Sequence, residues 1–457
     1  MTHVAVIDIG KTNAKLALVD GESLEEIAVV TRPNTVLAGP PWPHFDLEGH
    51  WRFMLVHLSA FQREFGVDAI SITTHGASCV LLDKDGGLAA SMLDYEHSGP
   101  DDLGADYDAR RPPFVETGSP RLAGGLNVGA QIAWMFAQEP GLRDRTAQVL
   151  TYPQYWAYRL TGVASTERTS LGCHTDLWQP AEDRPSSLSD QLGVTDKLAP
   201  VRMAFDVLGP VKPDIAAATG LKPDTPVTCG IHDSNASLLP HLLGRAAPFS
   251  VVSSGTWIIA MAIGGAAVEL DPERDTLVNV NARGEPVPSA RFMGGREYDT
   301  LIQGARVSTT DADLDHVLAT QLWLTPSVAG DTGPFRGRIA RWSPSEPAVG
   351  SAERDVAVAF YLALMTQTCL ELIGHRGAII VEGPFAHNGV YLSMLSAASG
   401  CDVIATSTAT GTSQGAALLT DCTPPGLESD PWLVSEDLRA AMAGYAAAWQ
   451  MAVAKGQ

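Results

Sequence analysis

Twice in this chain, about half its length apart, an apolar run enters a small polar turn and a second apolar run leaves it. The first figure runs Val4-Ala5-Val6-Ile7 into Asp8-Ile9-Gly10-Lys11-Thr12-Asn13 and out through Ala14 to Val19; the second runs from Pro248 to Met261 and turns at Ser253-Ser254-Gly255-Thr256. Short apolar runs bounded by Gly and polar residues read as buried strands, so each figure is a hairpin and its recurrence predicts duplicated halves. Turn N–H groups and hydroxyls presented by two such hairpins can hold a polyphosphate, and glycine lets the backbone come close. One turn alone would read as an ordinary β-hairpin; the pair carries the inference.

Gly10-Lys11-Thr12 also spells the end of a nucleotide P-loop. That loop needs a glycine five residues before the Gly-Lys pair and a helix after it. Here Ala5 stands at the first position and a strand follows, so the phosphate device is a different one.

At 457 residues the chain exceeds what one core usually serves, which predicts two domains, 1–243 and 244–457. Lys plus Arg number 31 against 52 Asp plus Glu, a net charge of −21. This argues against nucleic acid or an anionic membrane as the main partner. Cys79, Cys173, Cys229, Cys369, Cys401 and Cys422 lie far apart without metal-ligand spacing, which reads as reduced thiols in a cytoplasmic protein. The sequence enters its first strand without a basic and apolar leader. Trp257 to Val268, taken as the longest apolar stretch, is too short to span a bilayer. Strand-like runs (Ala69 to Thr73, Val80 to Asp83) alternate with helical ones (Val128 to Gln138), which predicts an α/β fold.

Asp233 lies in Gly230-Ile231-His232-Asp233-Ser234-Asn235-Ala236-Ser237, after a β-run and at the start of a predicted helix. It reads either as a helix cap or as a base accepting a hydroxyl proton during attack on a γ-phosphate. Further on, Gly377 to Pro384 reads as a strand into a turn, Asn388 to Ser399 as a helix closed by Gly400, and Thr410 to Ala417 as the start of another helix. The small residues of that last segment permit either tight helix packing or a slot for a flat purine.

In this order the motifs resemble those of the FGGY-family carbohydrate kinases, within the sugar kinase, Hsp70 and actin superfamily, from the first strand to about Leu419. Asp8, Gly10, Thr12, Asn13 and Lys15 match the first phosphate motif, and Ser254-Gly255-Thr256 resembles the second. Gly383, Asn388, Gly411, Gln414 and Gly415 fall in the adenosine region, and Asp233 falls where the family places its catalytic base. Trp134 to Pro140 and Leu160-Thr161-Gly162 also look like the family's N-terminal domain. The resemblance implies two actin-like (ribonuclease H-like) domains with a cleft for ATP and sugar, the sugar mainly on the first and ATP mainly on the second. It implies ATP and Mg²⁺, with Asp8 and Asp233 as metal-site residues, no nucleic acid and no membrane, and leaves a homodimer open.

The sequence departs from the family pattern in three places. Glu382-Gly383-Pro384 stands where many members carry three glycines, Thr410 where many have glutamate, and Met92-Leu93-Asp94-Tyr95-Glu96 where many have Trp-x-Asp-x-Arg. His75-Gly76 matches a His-Gly beside the sugar in ketose kinases, or is a strand-end histidine bonded to backbone. Asp94, Tyr95, Gln154, His232 and Arg296 are the other pocket candidates. The implied substrate is a ketose, a 6-deoxyhexulose such as L-rhamnulose or L-fuculose ahead of a pentulose such as xylulose or ribulose. An actin-like ATPase and a catalytically inactive sugar-binding relative are the competing classes.

Overall fold

The computed structural model describes residues 2–406, 411–427 and 429–456. Thr410 lies outside them. The chain forms two compact units: Met1–Arg245 with Val278–Pro286 and Thr410–Gly426, and Ala246–Leu277 with Val287–Ala409 and Leu427–Gln457. Residues 278–286 and 410–426, expected with the second half, thus pack with the first. The reason is local: Val278 N–H donates to the Gly118 carbonyl at 2.8 Å, and the Ser71 hydroxyl donates to the Ala416 carbonyl at 2.6 Å.

The first unit is built on a seven-stranded sheet. Its strands are β1 (His3–Ile9), β2 (Asn13–Asp20), β3 (Glu26–Pro33), β4 (Ala69–Thr74), β5 (Val207–Pro210), β6 (Pro226–Thr228) and β7 (Ile231–His232). They run in the order β5-β6-β4-β1-β2-β3, with β7 also pairing β4. β1 and β2 are antiparallel, with Asp8 opposite Lys15, while β4 runs parallel to β1 with Thr73 opposite Asp8. Both faces of β1 and β4 are covered, which is why they read as unbroken apolar runs. The helix Leu47–Glu64 presents Trp51, Met54, Leu58 and Phe61 to this core.

The second unit repeats the plan. Its sheet is formed by β8 (Phe249–Ser254), β9 (Ile258–Ile263), β10 (Thr276–Val280), β11 (Pro286–Phe292), β12 (Ala378–Glu382) and β13 (Val403–Ala405), in the order β10-β11-β9-β8-β12-β13, with β10 passing at Val278 into the segment assigned to the first unit. Again a hairpin, β8 and β9, stands beside a parallel strand, here β12, which brings Ser253 opposite Glu382. The expected helix after Asn388 is present as Gly389–Ser399; Asn388 caps it by accepting from Tyr391 N–H at 3.1 Å, and Gly400 closes it at φ 66°.

One apolar element escaped the sequence reading. The helix Ala352–Leu372 is longer and more continuous than Trp257 to Val268, and it alone among the described residues is long and apolar enough to cross a membrane, although 89% of its most apolar window is buried inside the fold. It is packed all round, so it carries no polar stripe to betray it. Arg354 at its start is buried, and donates to the Leu301 and Pro347 carbonyls at 2.7 Å and to Glu346 at 2.8 Å. All six cysteines are free thiols. If this helix is the core of the second unit, Phe360→Ala, at a wholly buried position, should cost about 3–5 kcal/mol in urea unfolding. A loss within 0.5 kcal/mol would contradict that placement.

Candidate functional site

The first turn is held from beneath. Gly10 N–H donates to Asn13 O at 2.9 Å, closing the hairpin. Asn34, just past β3, donates its backbone N–H to Thr12 O and its side-chain amide to Gly10 O, both at 2.9 Å. With its nitrogen engaged on a carbonyl, Asn34 offers Oδ1 to His50 Nε2 at 2.8 Å. His50 must therefore carry its hydrogen on Nε2, which leaves Nδ1 to accept from Arg32 at 3.3 Å. Arg32 in turn pairs with Asp46, the cap of helix Leu47–Glu64, at 2.9 Å. Burial, with the Arg32 charge adding to it, pushes His50 down to about 4, so the ring is neutral at ordinary pH. Thr12 and Asn13, left exposed by this scaffold, are free to meet a ligand.

Asp8 closes the end of β1. Its Oδ2 accepts from the hydroxyls of Thr412 and Ser413, the latter at 2.9 Å, and lies 3.3 Å from Lys15 Nζ. Helix Thr412–Ala417 is thus fixed against the first strand. Gly415 is there for packing: a Cβ would lie 1.8 Å from the Ala236 carbonyl. Gln414 Oε1 accepts from Gly411 N–H at 3.1 Å, capping the helix. Of the two readings of these small residues, helix packing or a purine slot, the contacts here are those of packing, together with the bonds to Asp8.

Asp233 opens helix Asp233–Gly244, where His232 holds the cap position without a side-chain cap bond. Its Oδ1 accepts from Ser234 N–H at 2.6 Å and lies 3.1 Å from His232 Nε2. Its side chain is 29% exposed, which leaves one side open to a reactant. Burial raises the Asp233 carboxyl, but the His232 charge and hydrogen bond outweigh this and hold it below the usual range. Burial likewise opposes a charge on His232, and Cys173 together with Asp233 overcomes it, raising His232 well above its ordinary value. Cys173 Sγ is 3.5 Å from His232 Nε2. Gly76 makes room for this cluster, since a Cβ there would come within 2.7 Å of His232 Nε2 and 2.9 Å of Cys173 Sγ.

His75 stands next to it. Its Nδ1 donates to Gly76 O at 2.8 Å, so Nε2 is an acceptor, and it is buried with no partner among the described residues. Phe45, Tyr95 and Tyr152 surround the ring at 5.0–5.2 Å, and burial pushes its pKa down to about 4. Asp94 and Tyr95 lie on the same wall. Gln154 does not share this role: its amide donates to the Cys229 and Gly230 carbonyls at 2.9 and 3.1 Å, and it is wholly buried.

The second unit offers its own cavity of about 310 Å³, lined by Gly255, Thr256, Gly295, Tyr298, Asp299, Arg306, Pro384, Phe385 and Asn388. Gly255 N–H donates to Trp257 O at 2.8 Å. The Ser254 hydroxyl is engaged on Glu382 O and Phe385 N–H and so ties the turn to the loop after β12. Gly383 has φ 79°, and a Cβ there would lie 2.0 Å from Ser254 O, so this single glycine is required where the family's run of three is missing. Arg296, an exposed residue, starts the neighbouring helix Gly294–Ile302.

The carbohydrate kinase FGGY C-terminal domain matches residues 246–429, and the N-terminal domain of the FGGY family of carbohydrate kinases matches residues 114–240. A crystal structure of a carbohydrate kinase from Novosphingobium aromaticivorans is 37% identical, covers 98% of this chain and 100% of that one, and superposes with a TM-score of 0.90. The chain belongs to the FGGY family of carbohydrate kinases. Its two units have the family's actin-like α/β fold. L-fuculokinase of Escherichia coli K12 is 24% identical over 56% of this chain and 56% of its own length. L-xylulose/3-keto-L-gulonate kinase of the same strain is 25% identical over 56% of this chain and 53% of its own. The chain thus spans little more than half the length of these curated relatives.

Within this FGGY chain the sequence reading missed Asn34, His50, Thr412 and Ser413, none of which belongs to a motif of its own. Among the described residues no three His, Cys, Asp or Glu side chains gather as a metal cage. A hydrated Mg²⁺, which keeps its waters and takes one carboxylate beside phosphate, nevertheless fits Asp8, whose partners among the described residues converge on Oδ2.

The relay under the first turn carries a pH signature. His50 has a folded pKa of about 4 against 6.5 free, so between these values the unfolded chain binds more protons and stability falls as pH falls. Urea midpoints at pH 7 and pH 5 should differ less in His50→Gln than in the wild type; an equal difference would contradict a neutral, relay-bound His50.

Proposed function

We propose that this chain transfers the γ-phosphoryl group of ATP to a hydroxyl of a ketose, with a 6-deoxyhexulose such as L-rhamnulose or L-fuculose as the preferred class. The observation that carries the reading is Asp233: a partly open carboxylate kept ionised by an adjacent imidazolium, within a chain of this family. The relative named L-fuculokinase supports the acceptor class. In the step proposed, Asp233 takes the hydroxyl proton as the sugar oxygen bonds to the γ-phosphorus. The bond from that phosphorus to the β–γ bridging oxygen breaks, and ADP leaves.

The exposed turn around Thr12 and Asn13 grips phosphate, with Lys15 supplying positive charge beside Asp8. Gly255, Thr256, Asn388 and the cavity of the second unit take the nucleotide. Asp8 would hold Mg²⁺, which would supply charge neutralisation on the phosphates. Asp233, beside a cationic His232, suits a base better than a metal ligand. His75 Nε2, an unpartnered acceptor, receives a sugar hydroxyl, and Tyr95 offers its ring to the sugar's apolar face. Gly76 contributes by its lack of a side chain, and Gln154 by holding the backbone before His232. Free thiols throughout and dependence on ATP support action in the cytoplasm.

A coupled ADP-release assay across ketoses tests the reading. Asp233→Ala should lower sugar-dependent turnover about 10²–10⁴-fold; turnover at the wild-type rate would remove Asp233 as the base. His232→Ala takes away the neighbouring cation and so raises the Asp233 pKa, and the acid limb of the kcat/KM profile should move to higher pH. An unmoved limb would dissociate the two residues.

A further inference from the structure

The first turn carries a lysine that the phosphate motif does not explain. Lys11 Nζ pairs with Asp94 and, at 3.1 Å, with Glu96. It also lies 5.0 Å from the Phe45 ring centre and 4.6 Å from that of Tyr95. These are the rings that flank His75, at 5.2 Å each. Lys11 is therefore part of the acceptor wall. The Lys11 side chain is 23% exposed and that of Asp94 11%, whereas Glu96 is 63% exposed at the mouth.

We infer that the pairing of Lys11 with Asp94 and Glu96 reserves the acceptor site for uncharged polyhydroxy substrates and closes it to sugar acids. A lone lysine on the wall would attract a carboxylate; this one is already matched by two. With Asp233 and His232 included, three carboxylates face two cations, so the wall as a whole repels an anion. A neutral polyol meets no such penalty. Its hydroxyls can donate to the carboxylates and accept from the ammonium, while its apolar face lies on Phe45 and Tyr95. Tyr95 senses the same field: burial raises its phenol, and the charges of Glu96, Asp233 and Asp94 raise it further. Selectivity of this kind comes from repulsion as much as from attraction. The contrast matters in a family with a member named for a keto sugar acid.

This inference rests on the proposed kinase reading and sharpens its substrate class. The test compares the full chain with Glu96→Gln, a mostly exposed change that does not threaten the fold. Sugar-dependent ADP release and, without ATP, thermal shift are read for L-rhamnulose, L-fuculose ketose and L-xylulose against D-gluconate. The wild type should favour the neutral sugars, and Glu96→Gln should shift the neutral-to-acid preference toward gluconate by about tenfold. Lys11→Met should weaken gluconate further. A preference unmoved by Glu96→Gln overturns the inference while leaving the ketose kinase reading intact; a wild type that prefers gluconate overturns the inference and the ketose class together, leaving only phosphoryl transfer to an alcohol. ADP release from neither class in any variant would instead fail the kinase reading itself, and the inference with it.

Discussion

One carboxylate oxygen, Oδ2 of Asp8, ties the end of the first strand to hydroxyls 404 and 405 residues later. Because those hydroxyls sit at the start of helix Thr412–Ala417, the bond fixes that helix over the hairpin whose turn is exposed to ligand. Gly415, pressed against the Ala236 carbonyl, then locks the same helix onto the one that begins with Asp233. Strand end, late helix and base-bearing helix are thereby made one rigid body within the first unit. Precise placement of catalytic groups depends on rigidity of this kind.

The second constraint is electrical. Burial alone would protonate Asp233 and strip His232 of its charge; their adjacency reverses both tendencies. Cys173 reinforces this at the same nitrogen, Nε2: although burial opposes it, His174 and His232 draw its thiol down to about 5. Charge at this site is therefore a collective property of neighbours, and removal of one member changes the rest. His75 stays neutral in the same surroundings because burial of its ring among aromatics outweighs the Gly76 carbonyl and the Asp233 charge, which both favour its protonation.

Much of the fold was legible. The two hairpins announced themselves because their strands are buried on both faces, which leaves continuous apolar runs broken only at the turns. Asn388 and Gly400 marked their helix because capping is a local affair. Legibility failed where meaning lies in distant contacts. Thr412 and Ser413 look like any small polar pair until Asp8 is set beside them. Asn34 and His50 belong to a relay of four side chains spread over 19 positions, from Arg32 to His50, without a motif. Gln154 has the right chemistry for a sugar ligand, yet the fold engages its amide on backbone carbonyls. Ser254 is diverted in the same way to Glu382 and Phe385. The helix Ala352–Leu372 was overlooked because it is buried all round and three charges at its start, Glu353, Arg354 and Asp355, interrupt the apolar count.

The central claim is that these groups move a phosphoryl group to an alcohol. Phosphorus-31 NMR of the full chain with ATP, Mg²⁺ and a neutral ketose tests it most directly. The account predicts a new phosphomonoester resonance growing in step with ADP. Growth of inorganic phosphate instead, at a rate indifferent to the sugar, would contradict it.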